Sequence, residues 1–219
     1  MSRPSSHSIR TPRTAHYVQY GAPAAAHTLW IVLHGYGQRA ADFIKPFQAI
    51  QEDAVCVVAP EGLSRFYTKG MQGSVGASWM TSAGRLDEIR DYLAYLNRLH
   101  ASLCSSGGPR RTHVLGFSQG AATACRWVAR TSAPVDRLTL WSGGMPPDID
   151  LATHSGVFRQ LDISLVLGTD DSYIEMSERE ALARRLHEHD IEATSYTFDG
   201  GHRLHTDTLQ KLASEGELA

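Results

Sequence analysis

Two early stretches are apolar at almost every position, Thr28-Leu29-Trp30-Ile31-Val32-Leu33 and Ala54-Val55-Cys56-Val57-Val58-Ala59. Short runs with no polar face suit strands buried on both sides, the kind found in parallel sheets. Before them, Ala15 to Tyr20 alternates like a half-buried strand and stops at Gly21-Ala22-Pro23. Further short runs, Thr112–Leu115, Arg137–Trp141, Ile163–Leu167 and Ala193–Phe198, read as strands too. Between them the spacing changes to that of helices. Arg85–Leu103 carries Leu86, Ile89, Leu93, Leu96, Leu99 and Leu103 on one stripe and stops at Ser105-Ser106-Gly107-Gly108-Pro109. Helices are also predicted from Ala40 to Gln51, bent or ended by Pro46, from Ala121 to about Arg130, from Met176 to Glu188, and from His205 to Leu212.

Two segments carry no period. Glu61 to Gly84 holds glycines 62, 70, 73, 76 and 84 among Phe66, Tyr67, Met71, Trp79 and Met80, and is expected to be a packed loop walling a site. The stretch with Pro146 and Pro147 reads as irregular. Strands alternating with helices predict an α/β fold, a mostly parallel sheet with helices on both faces. Ligands of such sheets bind at the carboxyl ends of the strands. With no repeat or linker, residues 15–219 read as one domain behind a disordered tail, 1–14.

Composition narrows the function classes. The 219 residues are 42% hydrophobic and 20% charged with a net charge of −2, ordinary for a globular chain. No basic excess marks a nucleic-acid or anionic-membrane binder, and no apolar run is long enough to span a bilayer. Cys56, Cys104 and Cys125 are odd in number and lack metal-ligand spacing, so they read as thiols in a reducing, cytoplasmic compartment. The polar tail has no apolar segment of a secretory signal, and Pro4 and Pro12 interrupt any amphipathic transit helix.

The chemistry follows the strand ends. Gly116-Phe117-Ser118-Gln119-Gly120 lies between a strand and a helix, the context of a nucleophile elbow. The sharp turn leaves no room for side chains at Gly116 and Gly120. A serine hydroxyl needs an imidazole to take its proton, and the imidazole needs a carboxylate to fix its tautomer. His202 follows the last strand after Gly200-Gly201, and Asp170 and Asp171 follow the strand before it. Either aspartate can serve, with Asp171 preferred, and the order serine, acid, histidine is that of an α/β-hydrolase. His34-Gly35-Tyr36-Gly37 ends an early buried strand, where the N–H groups of Tyr36 and Gln119 are expected to face a developing oxyanion.

Together these pieces resemble the phospholipase/carboxylesterase group of small serine α/β-hydrolases, which includes acyl-protein thioesterases. The matching motifs are Leu33-His34-Gly35-Tyr36-Gly37, Ala59-Pro60-Glu61-Gly62, the Ser118 pentapeptide, Ser142-Gly143-Gly144-Met145-Pro146, Gly168-Thr169-Asp170-Asp171 and Gly201-His202. The resemblance implies a triad of Ser118, Asp171 and His202 with oxyanion donors Tyr36 and Gln119. Two departures touch the pocket: Tyr36 stands where members frequently have leucine, and Trp79-Met80-Thr81 replaces a Trp-Phe-Asp tripeptide.

The expected activity is carboxylic ester hydrolysis through an acyl-enzyme, with a small-molecule substrate and no call for a metal or organic cofactor. Only about twenty residues separate Ser142 from Ile163, too few for a cap domain, so a shallow pocket for short or medium acyl chains is expected, lined by Trp79, Phe66 and Met145. Thioesterase or lysophospholipase action on longer chains is the alternative, and a non-catalytic binding module the reading from another class. Homodimer formation is left open.

Overall fold

The computed structural model describes residues 3–105 and 108–217, so Ser106 and Gly107 in the predicted stop after Leu103 lie outside the described residues. Among the described residues nine strands form two sheets. Seven of them, β1 (Tyr17–Tyr20), β2 (Thr28–Leu33), β3 (Val55–Pro60), β6 (Arg111–Phe117), β7 (Arg137–Trp141), β8 (Asp162–Gly168) and β9 (Ala193–Phe198), make one sheet in the order β1-β3-β2-β6-β7-β8-β9. All neighbours pair in parallel except β1, which runs antiparallel to β3 at one edge.

The two-residue period of a strand explains why β2 is apolar throughout. Leu29, Ile31 and Leu33 point to one layer, where they pack with α2 (Arg85–Leu103), α3 (Gln119–Val128), α4 (Leu151–Phe158) and α5 (Met176–His187). Trp30 and Val32 point to the other, against α1 (Ala40–Phe43), a 3-10 turn at Lys45–Ile50 and α6 (Thr206–Glu217). The fold is therefore a mostly parallel sheet flanked by helices on both faces, as in α/β-hydrolases, with no large cap domain. No helix among the described residues is long and apolar enough to cross a membrane.

Three expectations are corrected. The 61–84 segment is not a loop without regular structure: β4 (Ser64–Lys69) and β5 (Gln72–Ser78) form an antiparallel hairpin separate from the main sheet. The irregular stretch after Pro147 contains α4, opened by Asp150, whose carboxylate accepts the Ala152 N–H at 3.0 Å. The single helix expected over 40–51 is split into α1 and the 3-10 turn, with Pro46 in the first turn of the second piece, where its missing N–H costs nothing.

Candidate active site

The carboxyl ends of β2, β6, β8 and β9 bring the predicted residues to one edge of the sheet. Ser118 follows β6 directly and adopts φ 53°, ψ −116°, a conformation that non-glycine residues enter only when their surroundings force it. Its N–H donates to the Trp141 carbonyl at 2.9 Å, and its carbonyl accepts the Ala121 N–H at 3.0 Å. The glycines of the elbow are needed for space. A Cβ on Gly120 lies 2.1 Å from the Leu33 carbonyl oxygen, and one on Gly116 lies 2.3 Å from that of Gly120.

Asp171 and His202 meet directly. His202 Nδ1 lies 3.0 Å and 2.9 Å from the two oxygens of the Asp171 carboxylate, which is fully buried. Gly168 makes this approach possible, since a Cβ there lies 2.2 Å from the Gly200 carbonyl. The Asp170 N–H donates to that carbonyl at 3.0 Å, locking the two strand ends together. Asp170 is exposed, so of the adjacent aspartates only Asp171 touches the imidazole. Burial pushes the Asp171 carboxyl up. The Tyr173 N–H, the Ser142 hydroxyl, His202 and the Ile174 N–H pull the other way and prevail, leaving it below the ordinary carboxylate range. Ser142 follows β7 with φ 46° and lays its buried hydroxyl near that carboxylate, short of good hydrogen-bond geometry.

The loop after β2 stands beside the serine: a Cβ on Gly35 lies 3.2 Å from that of Ser118. The Gly35 N–H is taken by the Gln38 side chain at 2.7 Å, and the Gly37 N–H by the Ala77 carbonyl at 2.9 Å. The Tyr36 N–H between them meets no acceptor among the described residues. Gln119 opens α3, where an N–H has no partner within the helix. That these two N–H groups face a developing oxyanion is the expectation raised by the sequence.

His34 and Trp79 support the loop from below. Burial pulls the His34 ring below its ordinary pKa and keeps it neutral. It accepts the Gly62 N–H at Nε2 (2.9 Å), and its Nδ1 lies 2.7 Å from the Gly35 carbonyl. The Trp79 indole N–H donates to the His34 carbonyl at 2.8 Å. Nearby Glu61, buried, joins Arg39 and Arg65 at 2.6 Å each and so ties the hairpin to α1.

Of the residues expected to line the pocket, Trp79 is 1% and Met145 8% exposed. Both belong to the core, and the Trp79 indole is bonded to the His34 carbonyl beneath the loop after β2. Phe66 is half-buried and stacks on Tyr36 with ring centres 5.1 Å apart. The sequence reading did not find Ser142, the Gln119 side chain or Tyr173. Ser142 did sit at a strand end in a recognised motif, which was the available signal. Among the described residues no group of three or more His, Cys, Asp or Glu side chains could hold a metal.

Comparisons with known proteins agree with this architecture. The crystal structure of esterase PE8 superposes with a TM-score of 0.71 at 22% identity, covering 94% of this chain and 99% of that one. Zea mays acyl-protein thioesterase 2 gives 0.71 at 14% identity, with coverages of 94% and 99%. The Bacillus cereus carboxylesterase gives 0.65 at 16%, with 93% and 94%. At these identities the likeness is one of fold. Comparison with curated proteins returns no significant sequence match. The model of the phospholipase/carboxylesterase family matches residues 16–215, and the chain belongs to that family.

Proposed function

We propose that the protein is a serine hydrolase that cleaves carboxylic esters of short or medium acyl chains through an acyl-enzyme. The observation that carries this reading is the contact of His202 Nδ1 with both oxygens of buried Asp171, at the sheet edge that also bears the strained Ser118. A proton on Nδ1, directed at the carboxylate, leaves the Nε2 lone pair free to act as a base. His202 takes the Ser118 proton as Oγ attacks the ester carbonyl. The negative charge that forms on the carbonyl oxygen rests on the N–H groups of Tyr36 and Gln119. The acyl carbon–oxygen bond breaks, and His202 passes its proton to the departing alcohol. Water, deprotonated by the same imidazole, then attacks the acyl-enzyme and releases acid and free Ser118.

The preference for shorter chains is supported by the connection between β7 and β8, which holds only the eight-residue α4 and no cap. The test is hydrolysis of p-nitrophenyl esters of increasing acyl length by the wild type and by Ser118→Ala. Activity that peaks at short chains and disappears in the variant is expected. A peak at long chains points instead to lysophospholipase or thioesterase action. No hydrolysis by the folded wild type overturns the esterase reading and leaves the binding module.

A further inference from the structure

We infer that Tyr173 forms a leaving-group subsite that favours esters of aromatic alcohols, an inference that rests on the esterase reading above. Two aromatic side chains pack on the His202 imidazole: Phe117, with ring centres 4.9 Å apart, and Tyr173, at 4.6 Å and 50° between planes. Phe117 is buried in the core, whereas Tyr173 is 76% exposed. Of the two, Tyr173 alone offers its surface to an incoming molecule.

Its position is set by the acid that orients the histidine. Oδ1 of Asp171 accepts the Tyr173 N–H at 2.9 Å and the Ile174 N–H at 3.1 Å, a local turn that fixes the backbone from which the ring projects. The same Asp171 carboxylate thus holds both the imidazole and the backbone N–H of Tyr173.

The chemistry then dictates which part of the substrate meets this ring. The departing oxygen must receive its proton from His202 Nε2, so the substituent on that oxygen lies at the edge of the imidazole. A ring in contact with the imidazole is within reach of that substituent. The acyl carbonyl lies instead toward the oxyanion donors, where the exposed ring of Tyr36 rests on Phe66. A tyrosine face in water gains by covering an apolar planar group, and aromatic pairs gain more than their area alone provides. Small aliphatic alcohols leave most of the ring exposed and gain little.

The experiment compares kcat/KM for benzyl acetate and ethyl acetate, which share an acyl group and both release a primary alcohol. It uses the wild type, Tyr173→Ala, Tyr173→Phe and Ser118→Ala. Wild type is expected to prefer benzyl acetate, Tyr173→Ala to lower the benzyl-to-ethyl ratio by about three- to tenfold, and Tyr173→Phe to keep it. A ratio unchanged in Tyr173→Ala, whether both rates fall together or neither moves, overturns the subsite while Ser118-dependent hydrolysis leaves the esterase reading standing. Absence of any Ser118-dependent hydrolysis overturns both.

Discussion

The side-chain oxygen of Gln119 accepts the Trp79 backbone N–H at 3.1 Å, and its nitrogen donates to the Met80 carbonyl at 2.8 Å. One carboxamide thereby fastens the start of α3, where one of the proposed oxyanion donors arises, to the root of the hairpin. Trp79 in turn donates to the His34 carbonyl, next to the loop that carries the other donor. Replacing Gln119 with leucine removes these bonds while leaving the backbone N–H of the same residue in place. A kcat loss of about 100-fold is expected, the scale of a misplacement of about 1 Å. Affinity for a trifluoromethyl ketone, which forms the oxyanion, should fall in parallel while KM changes little. Unchanged kcat and inhibitor affinity would remove Gln119 from this positioning role.

The hairpin also reaches the oxyanion loop through its backbone. A Cβ on Gly76 lies 2.6 Å from the Gly37 carbonyl oxygen and 2.9 Å from its Cα, so Gly76→Ala must push the 36–38 turn away. Esterase activity is expected to drop well below wild type in a protein that still folds. Gly156→Ala, in α4 with open space around it, should keep full activity and unfold at an equal or higher temperature. Full activity in Gly76→Ala contradicts the dependence of the loop on the hairpin.

The neighbouring aspartates separate by substitution. Asp171→Asn is expected to lower kcat by about 10,000-fold, because the imidazole loses the carboxylate that selects its tautomer. Asp170→Asn should leave the rate close to wild type, since this residue engages Gly200 through its backbone. Equal losses in both variants contradict the assignment of the acid.

Buried histidines set a dependence of stability on pH. Burial lowers His34, His100 and His113 from the ordinary 6.5, in the case of His113 to about 4. Below pH 6.5 the unfolded chain binds protons that the folded chain refuses. Stability is therefore full above that pH and declines as pH falls toward 4. Thermal unfolding midpoints followed from pH 8 to 4 should show this decline. In His113→Leu the curve should be flatter, because one of the three refused protons is gone. Parallel curves contradict the assignment.

Much of this was legible in the sequence because the central strands are buried on both faces. β7, buried at every position, runs over the residues that its apolar pattern predicts, and α2 follows its leucine stripe from Arg85 to Leu103. The hairpin was hidden because Gly70, Gly73 and Gly76 interrupt any alternation, and β5 has Val75 as its single large apolar residue. In α4, Leu-Ala-Thr-His-Ser-Gly-Val-Phe has buried apolar residues only at its two ends, so no stripe marks it. Trp79 shows a different limit. A large apolar side chain in a glycine-rich segment suits a pocket wall and a core equally well, and the indole N–H partner that decides between them lies 45 residues away.

The hairpin stands outside the main sheet, yet it carries Phe66 against Tyr36, lends Ala77 to the oxyanion loop and receives the Gln119 carboxamide. Under the proposed mechanism, selectivity and turnover are consequently not separable traits in this scaffold. A change in the hairpin that reshapes the acyl side also shifts the groups that stabilise the charged intermediate. Variants chosen for a new acyl group will therefore tend to start slow and to regain speed through second changes at the hairpin root, around Ala77 to Met80, instead of at the surface that meets the substrate.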